Sequence, residues 1–480
     1  MDERLSIVKY INDPVYGGIG ITQIELELID TPEFQRLRGL RQLARVNFVF
    51  PGAEHSRYVH SLGVLYIMGL MTDHLYRQKM IEEQDIIKLR VAALLHDIGH
   101  YPLSHLGESV YSYCLDNQNA SNIVKTDMDY QPKLYEMASA HSKSADHEYL
   151  GKYIVENNKN IRDILDKYGL DATEIGEIFT GKYGSRNMVY TQLLHSSLDA
   201  DRLDYLLRDS YQTGVKYGLV DLQYLIRLLM VVNDPKMAKN QKVLVCNKKG
   251  QHVVEHFLMS RYFHYSQVIF HKTNAAFEGM IRCMYIKLVQ KKQFLFNSLQ
   301  DIHENVNEEK FLQFNDAMLE NAFKEYYYKT SDEEYKRLYE MFRDRIRPKI
   351  VFELKDLYED SPKQEFSVLK WKLKKEPEKI SKIIGSEKWG YQIVPIQIEK
   401  IHGHYGVSER DINEDDLREA VKLYDKDNGK ISYLAEDNLS IINKLSNFQS
   451  EFIRIYVLEE RDSEYDYEKI HEEIKSMIIA

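Results

Sequence analysis

His96 and Asp97 stand side by side in the run His96-Asp97-Ile98-Gly99-His100, directly after the mostly apolar stretch Leu89 to Leu95. An imidazole and a carboxylate in adjacent positions both offer lone pairs to one hard or borderline cation. The plain alternative is a helix C-terminus, where histidines favour the helix dipole, with Pro102 stopping the helix. Upstream, Arg57 and His60 are three apart and can share one face of a helical turn. Downstream, Leu203, Leu206 and Leu207 mark a buried helical stripe, while Asp201, Tyr205 and Asp209 line another face at i, i+4 and i+8. Surface helices often pair Asp with Arg, as Asp201 and Arg202 would, but seldom set an acid, a phenol and an acid in one row.

Together His60, His96, Asp97 and Asp201 supply imidazole and carboxylate ligands from three separate helices. That set suits a divalent metal with positions left for water and a substrate oxygen. Arg57, His100, His105, His147, Arg202 and Arg261 are all able to hold or protonate phosphate oxygens. The residues lean towards metal-assisted hydrolysis of a phosphate ester. No Walker-type glycine loop or dinucleotide fingerprint competes with this reading.

The elements that must position these groups read mainly as helices. Ile7 to Ile21 predicts a short strand or hairpin, and Ile24 to Ile29 one or two helical turns. Thr31-Pro32 predicts a helix start, continued over Phe34 to Val46 with Arg36, Arg38, Arg41 and Arg45 on its remaining faces, either as a solvated basic surface or with some of them turned to phosphates. Helices follow from Arg57 and over Ile86 to Leu95; Asn117 to Ala140 reads as a loop able to cover a site; a helix starts at His147. Lys242 to Val254 reads as a hairpin, and Glu255 to about Val289 as one long helix. After about residue 295 charged helices alternate with apolar turns, and Gln392 to Ile401 and Phe452 to Leu458 read as strands. The expected organisation is a core over 1–295 and a C-terminal α+β lobe over 296–480.

The 480 residues carry a net charge of -10 and 44% apolar side chains, which argues against a membrane protein and against a general nucleic-acid binder. No apolar stretch is long enough to span a bilayer, and the start lacks the order of a signal peptide. Cys114, Cys246 and Cys283 are isolated, without metal spacing or an even disulfide set, so a reducing, cytoplasmic setting is expected.

The pattern of His60, His96-Asp97 and Asp201 resembles the HD-domain phosphohydrolases. More closely, residues from Asp13 to about Lys272 resemble that superfamily's deoxynucleoside triphosphate triphosphohydrolases. These include dGTPase-like bacterial enzymes and the mammalian enzyme that joins a sterile-alpha-motif domain to an HD domain. The matching stretches are Asp30 to Arg38, Pro51 to Arg57, His60 to Val64, His96 to His105 and Asp199 to Asp209. No sterile-alpha-motif domain is recognised in this sequence. The resemblance implies a mainly α fold: an HD-domain helical core with small β-hairpins, followed by the C-terminal α+β lobe.

By that resemblance His60, His96, Asp97 and Asp201 would hold the metal (Fe, Mn or Mg, or Zn, Ni or Co as isolated). Water would attack the α-phosphorus, giving a deoxynucleoside and inorganic triphosphate. Arg57, Arg202, Tyr205 and Arg261 match triphosphate contacts. His105 matches the group that protonates the leaving 5′ oxygen, with Glu108 supporting it; His147, followed by Glu148, and His100 lie on the substrate side. Gln42 and Asp209 match contacts to the 3′ hydroxyl. Leu43 matches an apolar residue packed where a ribose 2′ hydroxyl would go, and Tyr265 stands where a substrate-side histidine is expected.

Asp30, Gln35 and Arg38 match a trio that reads guanine in a regulatory site, and Lys9, Lys249 and Lys272 lie near positions that hold activator phosphates. The implied partners are a dNTP substrate, an activator such as GTP, dGTP or another dNTP, and further copies of the chain in a tetramer. Val253 and Met230 depart from the polar residues expected there. The competing readings are an HD phosphohydrolase acting on nucleoside monophosphates or a signalling nucleotide, and a non-catalytic binding module. The former needs no deoxyribose clamp of the kind Gln42, Tyr205 and Asp209 would form. The intact set of His60, His96, Asp97 and Asp201 argues against the latter.

Overall fold

The computed structural model describes residues 3–123, 133–140, 145–185, 187–235, 237, 241–359, 361–397, 418–446, 448–459 and 465–479. Strands β1 (Ile7–Asp13) and β2 (Gly17–Thr22) form an antiparallel hairpin whose turn uses Gly17 at φ 75°. Thr22 opens helix α1 (Gln23–Ile29) with a capping box, its own N–H donating to Glu25 at 2.8 Å. Thr31 caps α2 (Pro32–Gln35) as its sequence predicts, accepting from the Phe34 N–H.

The expected helix over Phe34 to Val46 is not formed. After α2 the chain tightens into a 3-10 turn at Arg36–Gly39, bridges Arg41 to Ser56, and turns at Ala44 with φ 46°. The reason lies in the arginines. Arg36 and Arg45 are buried rather than solvated, and Arg36 spends its donors on backbone carbonyls far along the chain.

The helical core is built on α3 (Arg57–Arg77) and α4 (Glu83–Leu95), packed on each other, with α11 (Ala200–Thr213) laid across α3. Gly63 makes that crossing possible: a Cβ there would collide with Asp204 and Arg208 of α11. Around them lie α5 (His105–Ile123), α6 (Leu134–Ala138), α7 (His147–Asn157), α8 (Lys159–Lys167), α9 (Ala172–Phe179), α10 (Met188–Leu194) and α12 (Leu222–Arg227). The expected loop over Asn117 to Ala140 is instead helical as far as Ile123 and again over Leu134–Ala138, and residues 124–132 lie outside the described set.

Lys242 to Val254 is not a hairpin. Strand β4 (Lys242–Asn247) instead pairs with an upstream strand, β3 (Leu229–Asn233), and the chain after it enters α13 (Gln251–His264). Val254, Phe257, Leu258 and Arg261 fall at helical spacing and are buried, which overrides the β-branched appearance of Val253-Val254. A π-helical turn (Tyr265–Ile269) separates α13 from α14 (Lys272–Gln290), so the single long helix expected there is two.

Beyond residue 295, α15 (Leu299–Glu304), α16 (Glu309–Leu312), α17 (Asp316–Lys329) and α18 (Glu333–Arg343) follow. Phe296, Phe311, Phe314 and Phe323 pack in the same apolar cluster as Met284 and Tyr285 of α14. A second cluster covers a three-stranded antiparallel sheet ordered β5 (Lys349–Tyr358), β9 (Gln449–Val457), β6 (Trp389–Gln397). Helices α19 (Gln364–Lys375), α20 (Pro377–Ile384) and α22 (Tyr467–Ile479) pack on it. Strands β7 (Lys422–Asp425) and β8 (Lys430–Tyr433), followed by α21 (Ile441–Ser446), return to the core, where β7 pairs in parallel with β4. Helices dominate, with small sheets, as the sequence predicts.

Candidate functional site

Helix α4 is buried from Val91 to Leu95 and ends there, with His96 as its C-cap; the turn that follows, not Pro102, is what terminates it. His96, Asp97 and His100 project from that turn, meeting Arg57 and His60 from the first turn of α3 and Asp201 from the first turn of α11. His60 Nε2 lies 3.0 Å from Asp201 Oδ1 and 3.6 Å from Asp97 Oδ2. His96 Nε2 lies 3.3 Å from Asp97 Oδ1 and 3.7 Å from Asp201 Oδ1.

The other nitrogen of each ring is committed. His60 Nδ1 contacts Asp204 Oδ2 at 2.7 Å, and His96 Nδ1 contacts the Ala93 carbonyl at 2.8 Å. Each therefore aims an Nε2 that is buried and has no hydrogen bond at the two carboxylates. Lone pairs facing lone pairs at these distances need a positive charge between them, and this donor set fits a divalent cation. His60, His96 and Asp97 place one ligand atom each within 4.8 Å of one another. Burial lowers the pKa of His60, but Asp201, Asp204 and Asp97 outweigh it and bring it to about 10, a measure of the excess negative charge at this point.

Asp204, which is not singled out in the sequence, is fully buried and supports His60. Arg208 donates to it from Nε at 2.9 Å and from Nη2 at 3.0 Å, and to Asp13 from Nη1 at 2.7 Å. The usable signal was its spacing of one turn from Asp201 on a face that also carries Arg208. Asp97 accepts from Arg57 Nη1 at 2.7 Å. Burial pushes its carboxyl up, but Arg57, His96 and His100 hold it well below the ordinary range.

A second histidine group adjoins the first. The rings of His100 and His147 stack with centroids 3.7 Å apart, and His105 meets both edge-on at 5.1 and 5.2 Å. Glu108 Oε2 lies 3.0 Å from His147 Nδ1 and 3.3 Å from His105 Nδ1. Burial raises the Glu108 carboxyl, but the contacts with His105 and His147 outweigh it and leave it far below the usual range. Burial lowers His147, and Glu108 more than reverses that, to about 9. His100 is driven well below its ordinary value by burial, then by the nearby charges of Arg57 and His147. Gly99 allows the approach of α7: a Cβ on it would collide with the backbone of His147 and Gly151.

These groups line one cavity. Its lining includes Gln42, Arg57, His96, Asp97, His100, His105 and His147, together with Glu148, Phe179, Leu194, His195, Asp201, Arg202, Tyr205, Arg261 and Tyr265. His60 and Glu108 lie behind this lining. Leu43 belongs to the apolar core, and Asp209 is buried between His55 Nε2 at 2.8 Å and His264 Nε2 at 2.9 Å, so neither lines the cavity. His195, with Nδ1 3.3 Å from Glu148, is a lining residue that no motif in the sequence flags.

The residues expected to read an activator lie apart from this cavity. Asp30 is exposed; Gln35 donates to the Ile29 carbonyl at 2.7 Å and accepts from Arg38 Nε at 2.6 Å. The Arg38 guanidinium sits 3.6 Å over the Tyr58 ring. Lys9 on β1, Lys249 after β4 and Lys272 at the start of α14 are exposed. Val253 and Met230, the two departures, are half-buried.

Residues 57–208 match the HD domain, so the chain carries one, and all the histidines and acids of the two groups above fall within it. The chain is 32% identical over 281 residues to the uncharacterized protein YwfO of Bacillus subtilis, covering 58% of this chain and 55% of that protein. It is 29% identical over 271 residues to the deoxynucleoside triphosphate triphosphohydrolase SAMHD1 of Gallus gallus, covering 52% of this chain and 40% of that protein. The chain thus spans about half the length of the curated relatives it matches. The crystal structure of a phosphohydrolase from Bacteroides thetaiotaomicron superposes with a TM-score of 0.64 at 24% identity, covering 93% of this chain and 99% of that one. At that identity the likeness is one of fold.

Proposed function

With the HD domain as premise, we propose that this chain hydrolyses deoxynucleoside triphosphates to the deoxynucleoside and inorganic triphosphate. The observation that carries the reading is the meeting within one cavity of two unlike sets of groups. The unpartnered Nε2 atoms of His60 and His96 face Asp97 and Asp201; Arg57, which already donates to Asp97, lines the same cavity together with Arg202, Arg261 and Tyr205.

His60, His96, Asp97 and Asp201 would hold a divalent cation (Fe, Mn or Mg, or another transition metal on isolation). Such an ion polarises a phosphoryl oxygen and eases loss of a proton from water. Arg57, Arg202 and Arg261 neutralise the phosphate chain, and the Tyr205 hydroxyl orients it. Water attacks the α-phosphorus, the bond from that phosphorus to O5′ breaks, and His105 delivers the proton that O5′ requires. Glu108 aims His105 and charges His147, whose cation faces the developing negative charge. His100, kept neutral, accepts the face of that cation as a stacking partner.

Gln42 lines the cavity with a buried side-chain oxygen that has no hydrogen-bond partner, an acceptor suited to the 3′ hydroxyl. Tyr265 lines the same cavity, whereas Leu43 and Asp209 stand outside its lining, so Gln42 is the sugar contact the geometry supports and the deoxyribose preference rests on the resemblance.

Regulation belongs to the same proposal. Asp30 and Gln35 present an acid and an amide to a guanine edge, and Arg38, already stacked on Tyr58, offers a flat cation. Lys9, Lys249 and Lys272 supply charge for phosphates of GTP, dGTP or another dNTP bound between copies of the chain in a homotetramer. Three free, buried cysteines suit a reducing compartment, and among the described residues no helix is long and apolar enough to cross a membrane.

One assay tests the reading against its nearest rival, a phosphohydrolase of nucleoside monophosphates or a signalling nucleotide. Metal-loaded protein is incubated with each dNTP, with and without GTP, and the products are separated by chromatography. Deoxynucleoside plus triphosphate is expected. Orthophosphate alone, or no turnover with any metal and nucleotide tried, would sink the proposal.

A further inference from the structure

Leu103 and Ser104, between the His96–His100 turn and His105, are consecutive non-glycine residues in the left-handed region, at φ 60° and 54°. Each such residue is strained, and a pair of them persists only where the surroundings over-determine it. The carboxylate of Asp316, at the start of α17, supplies the restraint. Its Oδ1 accepts the Leu103 N–H at 2.8 Å and its Oδ2 accepts the Arg41 N–H at 3.0 Å.

The turn so fixed orients two cavity residues. Ser104 Oγ accepts from Arg57 Nε at 2.9 Å and donates to the Arg41 carbonyl at 2.8 Å, and His105 follows directly. Arg36 braces the backbone just before that turn. It donates to the carbonyls of Ile98 at 2.6 Å, His100 at 3.0 Å and Phe314 at 2.8 Å. A buried acid thus ties the turn at Leu103 to Arg41, and a buried guanidinium ties the preceding residues Ile98 and His100 to Phe314. Asp316 itself is 2% exposed and does not line the cavity.

We propose that Asp316 is a positioning residue for the proposed hydrolysis: it holds the Leu103-Ser104 turn in the left-handed conformation and thereby aims His105 and Arg57. The inference rests on the hydrolytic reading of the cavity. An ångström of misplacement in such a group lowers turnover by roughly 100-fold.

The test compares wild type with Asp316→Asn, whose amide keeps one acceptor but turns an N–H donor on the second backbone amide. Glu320→Gln serves as control, because Glu320 stands on the same helix and pairs with Arg41 and Arg45 only through side chains. Bound metal per chain, thermal midpoint, kcat and KM for the best dNTP, and deuterium exchange of residues 101–106 are measured together. Asp316→Asn is expected to lower kcat roughly 10- to 100-fold with KM nearly unchanged, metal content intact, and faster exchange confined to 101–106. Glu320→Gln should leave kcat as it was. A kcat within twofold of wild type, or a loss that only parallels loss of metal or of global protection, overturns the inference. Should Asn prevent folding, Asp316→Ser is read in the same way. If wild type turns over no dNTP, the hydrolytic reading has failed, and unchanged exchange at 101–106 then separately overturns the restraint.

Discussion

The imidazoles of His100 and His147 lie 3.7 Å apart and within 17° of parallel. Two cations cannot share that arrangement at ordinary cost, and their surroundings divide the roles: burial, Arg57 and His147 keep His100 neutral, while Glu108 charges His147.

Glu108→Gln should therefore shift the alkaline limb of the pH–rate profile. His147 is raised to about 9, so its charged form is complete below its ordinary value near 6.5 and is lost as pH climbs through 9. Removing the carboxylate returns the limb towards neutrality by roughly two pH units. An unmoved limb would show that another group sets it.

Asp201→Ala removes one of the carboxylates that face His60 Nε2 and His96 Nε2. Bound metal should fall to a small fraction of one per chain and turnover should vanish. Elemental analysis beside the product assay decides; retained metal with full activity refutes the assignment.

Gly99→Ala should disturb the site from behind. A methyl group there meets the His147 carbonyl and the Gly151 amide, so α7 must move outwards, at about 1–3 kcal/mol for overpacking. A lower thermal midpoint together with at least a tenfold drop in kcat is expected, with metal still bound.

Asp209 makes the acid side of stability testable. Burial raises its carboxyl, but His264 and His55 hold it well below the ordinary range. A depressed carboxyl stabilises the fold above its unfolded value near 3.9, and that contribution is lost as pH falls below it. Asp209→Asn should be less stable than wild type near neutrality by about 3 kcal/mol, with the gap closing below about pH 4. Urea unfolding at a series of pH values measures it; a gap independent of pH would contradict the cause given.

Arg38→Ala leaves the cavity untouched and removes the cation stacked on Tyr58. It should abolish any stimulation by GTP while metal content and unstimulated turnover stay as in wild type. Stimulation that survives the substitution would remove Arg38 from the activator site.

The clustering of His60, His96, Asp97 and Asp201 was legible because each stands in a helix or at its end with a strong local signature. What escaped was burial of charge. Arg36 and Arg45 looked solvated because arginine usually is, yet Arg36 turns inward to carbonyls from distant stretches, and this ends the helix expected over Phe34 to Val46. Strand β3 went unseen for a related reason. The sequence around Met230-Val231-Val232 is short, and its partner was sought downstream of β4, where Val253-Val254 looked equally suited. His195 and Asp316 had no local signature at all, since only tertiary packing brings them to the site.

The link between Leu103 and Asp316 also has a temporal side. It joins positions 213 residues apart. At synthesis rates of about 5–20 residues per second, roughly ten to forty seconds separate the emergence of the turn from that of the acid that holds it. On the proposed restraint, the amino-terminal part of the HD domain would leave the ribosome with Leu103 and Ser104 still free to relax, and His105 would be held in place only after α17 has been made.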